Sequence, residues 1–196
     1  MARLTRSDEI RDGVHVVHLS GVFDERADEV DILPRTELPV IYELSGLTRI
    51  SSYGALHWHR SLLHLKVPYY GFAHVRPFHL RQFNMVAGYG VRGELLSFYV
   101  PYECDGCQII WDSYVDVAAE HEALRGCALA DELCPQCGEV APVDGAPEVY
   151  LNCFARSQPP RPPAAVQAYL LEQRNTTTRE VTPLGPPPAA AGTGND

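Results

Sequence analysis

Six cysteines are the residues of this chain with the most distinctive chemistry, and four of them fall into two pairs with the same gap. Cys104-Asp-Gly-Cys107 and Cys134-Pro-Gln-Cys137-Gly138 each place two thiols on one tight turn. Four thiolates from two such turns satisfy a tetrahedral zinc ion, so the pattern predicts one structural Zn2+ per chain, held by Cys104, Cys107, Cys134 and Cys137. Gly106 and Gly138 are expected to ease the two turns, since glycine accepts positive φ. A single redox CxxC on a thioredoxin-like unit does not explain two motifs. A catalytic zinc keeps an open position, usually with His or carboxylate ligands, and four cysteines leave no need for one. Cys127 and Cys153 read as bland thiols, and His121 reads as a surface residue.

Other chemistry is sparse. Seven of the eight histidines lie before residue 80 (His15, His18, His57, His59, His64, His74 and His79), but none pairs at the i, i+4 spacing of helical zinc ligands. Structural or surface roles are expected for them. The carboxylates Asp24, Glu25, Asp28, Glu29 and Asp31 read as a solvated helix face. There is no phosphate-binding glycine loop, no dinucleotide fingerprint and no serine nucleophile elbow. These absences point to a non-enzymatic protein.

Charge narrows the partner. The formal net charge is -9, and between Cys104 and Cys137 seven acids (Asp105, Asp112, Asp116, Glu120, Glu122, Asp131, Glu132) face one base, Arg125. Such a surface repels phosphates, so nucleic acid is a poor partner and protein a better one. No apolar run is long enough for a membrane span, and Met1–Gly13 lacks the apolar stretch of a signal peptide. A cytoplasmic location is expected, where cysteines favour metal over disulfides.

The elements that must carry these residues divide into three segments. Residues 1–101 alternate strands and helices: strands at Gly13–Gly21, Leu38–Leu44, Tyr69–Val75 and Glu94–Val100, and helices from Ser51 or Ser52 to about Leu65 and over Phe78–Ala87. Asp24–Leu33 is a further candidate for a short helix. On the helix after Ser51, Ala55, Trp58, Leu62 and Leu65 share one face. This order predicts an α/β domain with a mixed sheet. Residues 102–154 form the expected zinc ribbon, with an inserted helix within Asp116–Ala130. Residues 155–196 are rich in Pro, Ala and Gly and read as a disordered tail. One island, 164–174, has Val166, Tyr169 and Leu170 spaced for a helical face and reads as a transient helix or a docking peptide.

The stretch Glu43-Leu44-Ser45-Gly46-Leu47, followed by Ile50-Ser51-Ser52-Tyr53-Gly54 at a helix start, resembles the STAS domain (sulphate transporter and anti-sigma factor antagonist). The resemblance covers about residues 10–100. With Gln82-Phe83-Asn84-Met85 and Ser97–Cys104, the chain looks like bacterial STAS-like proteins that carry a C-terminal zinc ribbon. The resemblance implies a regulatory or adaptor role through protein partners bound at the strand-to-helix corner, here Ser51, Ser52, Tyr53 and Gly54. It also implies a phosphorylation switch at a serine, whose place Tyr53 takes here, with Ser52 adjacent. Alternative expectations are a nucleic-acid- or transcription-associated ribbon protein, or a structural subunit of a larger assembly.

Overall fold

The computed structural model describes residues 3–29 and 31–176. The chain opens on β1 (Thr5–Arg11) and β2 (Val14–Phe23), which pair antiparallel through a turn at Asp12 and Gly13. Both turn residues have positive φ. The region expected as a short helix holds only a 3-10 turn, Glu25–Glu29. Next come β3 (Val40–Glu43), β4 (Leu47–Ile50) and α1 (Ser52–Leu63). They lead to β5 (Tyr70–Ala73), α2 (Pro77–Met85) and β6 (Glu94–Leu95). Then follow β7 (Ser97–Glu103), β8 (Ile110–Asp116), α3 (Val117–Arg125), β9 (Glu132–Leu133) and β10 (Val140–Ala141). The last helices are α4 (Glu148–Leu151) and α5 (Ala164–Thr176).

The main sheet is mixed, in the order β1-β2-β3-β5-β6. Strands β2, β3, β5 and β6 run parallel, β1 is antiparallel at the edge, and β4 pairs with the end of β2 past a register shift at Gly21/Val22. β1 went unread in the sequence because its residues, Thr-Arg-Ser-Asp-Glu-Ile-Arg, are mostly exposed on an edge strand and carry no alternation of apolar residues. β2, by contrast, is nearly all buried, as a central strand covered on both faces must be.

The two faces are covered differently. Val17, Leu19, Val40, Tyr42 and Phe72 turn to one face, where Ala55, Trp58 and Leu62 of α1 and Leu80 of α2 pack on them. α1 ends at Leu63, so Leu65 lies beyond the helix and is only partly buried. Val14, Val16, Ile41, Ala73 and Leu96 turn to the other face, and α5 covers them with Val166 and Tyr169. The structure bears out the short helix expected at 164–174 and corrects its setting. The island at 164–174 is a packed part of the domain, extending to Thr176, and its two anchors are buried in its own sheet. Ion pairs Arg11–Glu172 at 2.8 Å and Arg174–Asp116 at 3.2 Å flank it. Residues 177–196 of the expected tail lie outside the described residues.

β7 runs through the expected boundary at residue 101 without a break and pairs antiparallel with β8. Val75 bridges to Phe98, and one contiguous apolar cluster spans the α/β sheet and the cysteine-bearing segment. No helix among the described residues is long and apolar enough to cross a membrane.

Candidate metal centre

Each cysteine pair sits between two strands that meet as a hairpin. The first turn joins β7 to β8, and the second joins β9 to β10. Their backbones repeat the same pattern. In the first, Cys104 N–H donates to Ile109 O at 3.0 Å and Gln108 N–H to Cys104 O at 2.7 Å. In the second, Cys134 N–H donates to Glu139 O at 2.8 Å and Gly138 N–H to Cys134 O at 2.9 Å. The residue after the second cysteine therefore needs a left-handed backbone in both turns. Gly138 supplies it with φ 78°. In the first turn Gln108 takes φ 54°, and Gly106 has no positive φ. The role expected for Gly106 falls to its neighbour two residues on, because the left-handed step lies after the cysteine pair and not inside it.

The hairpins are held face to face by polar contacts along their length. Glu132 of β9 accepts from Trp111 Nε1 at 3.2 Å and from the Ser113 hydroxyl, both on β8. Tyr102 Oη donates to Ala130 O at 2.9 Å, and the chain after β10 returns along β7, with Asp144 N–H donating to Pro101 O at 2.8 Å. As a result the four sulfurs converge. Cys104 and Cys137 Sγ lie 3.5 Å apart, Cys107 and Cys134 3.4 Å, and Cys107 and Cys137 3.7 Å, with all four within 4.8 Å of one another. A tetrahedron of thiolates with metal–sulfur bonds of about 2.3 Å has edges of about 3.8 Å, close to these separations. A disulfide needs about 2.05 Å, and all six cysteines are free.

The electrostatics of the set also fit a cation. Burial and the neighbouring thiols push Cys107 up to about 12. Burial opposes ionisation of Cys134 too, but backbone N–H groups of Cys137 and Gln136 hold it down to about 6. Four thiolates this close would repel one another, and a cation among them would relieve that repulsion. The residues present can hold a metal ion. Cys127 and Cys153 lie outside the cluster, and burial pushes the Cys153 thiol up to about 12, which keeps it protonated.

The strand-to-helix corner is a separate region. Ser51 is the N-cap of α1, its Oγ accepting from Gly54 N–H at 3.1 Å. Gly54 is buried against the end of β2, where an added Cβ would lie 2.1 Å from Phe23 O. Ser51 and Gly54 therefore have structural duties. Ser52 and Tyr53 are exposed on the first turn of the helix.

Several histidines have partners inside the fold. His15 meets Asp8 at 3.0 Å, His79 meets Tyr89 Oη at 2.8 Å, and His74 Nδ1 meets Glu43 Oε2 at 2.6 Å. His121 was expected at the surface but is buried, 3.1 Å from Ser157 Oγ, because α3 turns it under the segment that follows α4. The Glu43–His74 pair carried no sequence signal, since its members are 31 residues apart and only parallel pairing of β3 with β5 joins them.

No protein-family model matches the chain, and no curated protein matches it.

Proposed function

We propose that this chain is a non-enzymatic regulatory or adaptor protein that binds a protein partner through the corner at the start of α1, with one structural zinc ion in the ribbon. The observation that carries the partner reading is an exposed apolar stripe. Tyr53, Leu56 and Leu63 are 45%, 45% and 57% exposed, and helical spacing puts them on one side of α1, opposite Trp58 and Leu62 in the core. The stripe begins beside Ser52, the residue the STAS resemblance marks as a neighbour of the switch position. A phosphate at Ser52 or Tyr53 adds negative charge and bulk at the stripe's edge and weakens an apolar interface there.

Zinc is the metal that four thiolates in a tetrahedral set favour, and a set without His, carboxylate or water is a structural one. The acids around the knuckles, Asp105, Asp131, Glu132 and Glu139, disfavour phosphate and support a protein partner over nucleic acid.

Two measurements test the reading. Metal analysis of the purified chain should give one zinc per chain, and Cys134→Ser or a chelator should remove both the metal and the folding of the ribbon. Zinc that leaves with no loss of stability refutes the structural role. For the corner, a partner captured by the wild-type chain should be lost with Leu56→Asp and kept with Ile10→Asp, an equally apolar exposed site on β1. Equal retention by both variants refutes the α1 surface.

A further inference from the structure

The second cysteine hairpin carries an apolar face that the chain leaves uncovered. β9 and β10 pair Leu133 with Val140 directly across the ladder, and Glu132 with Ala141. Successive side chains on a strand point to opposite faces. Glu132 turns inward to Trp111 and Ser113 of β8, and Ala141 turns into the core. Leu133 and Val140 therefore turn outward together, 62% and 65% exposed. Asp131 and Pro142 extend the same alternation by one residue and are exposed as well. The border of this face is acidic. Asp131 stands at one end, and the exposed Glu139 and Asp105 stand at the knuckle end, where Glu139 packs beside Gly106.

The stripe on α1 is its complement. Tyr53, Leu56, Arg60 and Leu63 follow one another at helical spacing along one side of the helix. α1 contains no acid, and Lys66 lies just past its end; Arg60 and Lys66 are both exposed. Among the described residues, none of Asp105, Asp131, Glu139, Arg60 and Lys66 is held in an ion pair. One chain thus displays an apolar face rimmed by carboxylates and an apolar face bearing fixed cations. Like surfaces do not match: ribbon on ribbon sets acid against acid, and α1 on α1 sets base against base.

We propose that the ribbon of one copy of this chain docks on α1 of a second copy, with Leu133 and Val140 against Tyr53 and Leu56 and the ribbon acids beside Arg60 and Lys66. This rests on the α1 stripe being an interface, and it names the occupant. The two surfaces differ, so the contact is head-to-tail. Each pair of copies keeps one open α1 and one open ribbon, and the series closes into a ring or runs on as a filament. The contact is small, and a net charge of -9 on every copy opposes it, so association is weak and reversible. A phosphate on Ser52 or Tyr53 sets negative charge against the ribbon acids and releases the copies.

The test is sedimentation equilibrium of the full chain prepared with zinc, at up to about 1 mM, which reveals a contact of millimolar affinity. A reversible rise in mass with concentration, continuing past the dimer, is the expected result. Leu56→Asp and Leu133→Asp change exposed sites, and their fold and zinc content are checked first. Each should weaken association about tenfold or more, while Ile10→Asp should leave it unchanged. Arg60→Glu should weaken it severalfold. Mixed together, Leu56→Asp and Leu133→Asp should recover a complex that stops at one copy of each, since the first keeps a sound ribbon and the second a sound α1. A chain that stays monomeric overturns the proposal and leaves α1 open to a different protein, which the capture experiment with Leu56→Asp reads separately. Association untouched by Leu133→Asp or by Arg60→Glu, or a mixture no tighter than either variant alone, also overturns it.

Discussion

Two glycines with nearly the same crowding should respond differently to alanine. At Gly54 an added Cβ meets Phe23 O at 2.1 Å and Phe23 C at 2.7 Å. At Gly106 it meets Glu139 Oε2 at 2.0 Å. Both gaps fall more than 1 Å short of ordinary contact. What differs is the neighbour. Phe23 O belongs to the end of a central strand and accepts the Ser51 N–H at 2.9 Å, so moving it breaks the bond that joins β2 to the helix start. Glu139 is exposed, and its carboxylate can swing into solvent. On intrinsic propensity alone, Gly54→Ala within a helix should gain about 1 kcal/mol. Overpacking typically costs about 1–3 kcal/mol, and the lost backbone hydrogen bond about 1 kcal/mol more. We expect Gly54→Ala to destabilise by about 1–3 kcal/mol and Gly106→Ala to stay within about 0.5 kcal/mol of wild type. Urea unfolding followed by tryptophan fluorescence measures both, since Trp58 is one turn beyond Gly54 and Trp111 lies in β8, beside the cysteine hairpins. A neutral or stabilising Gly54→Ala would refute the close approach of α1 to β2.

Three further outcomes are expected. Gly138→Ala, with open space around its Cβ but φ 78°, should cost about 1–2 kcal/mol, while Gln108→Gly at the matching place should gain up to about 1 kcal/mol; equal effects at both refute the equivalence of the turns. Burial lowers His79 from 6.5 to about 3, so the unfolded chain takes up a proton between those values that the folded chain refuses. Stability from this residue is therefore full above pH 6.5 and falls as the pH drops, by about 2–3 kcal/mol between pH 7 and pH 4.5. His79→Phe should flatten that part of the pH profile, and an unchanged slope refutes it. Removing the α5 anchors with Val166→Asp should speed amide exchange in β3 and β5 but leave metal content at the wild-type level; loss of metal would show that α5 also holds the ribbon.

The two cysteine pairs were legible because a chelating turn is local: two thiols, two intervening residues and a tight backbone fit within six positions. The central strands and α1 were legible for a related reason, since burial on a sheet or helix face imposes a short period on apolar residues. Ser51 as a cap followed from the same local chemistry. Edge strand β1 was hidden because exposure removes that period, and His121 was misplaced because nothing near it in the chain signals the segment that covers it. The sequence by itself thus determined which residues can hold a metal and where the central strands and the first helices lie. Tertiary structure alone decided that α5 closes the second face of the sheet and that Glu43 meets His74. Both depend on residues tens of positions apart or more, which no local pattern encodes, and on a strand order that only the packed sheet establishes.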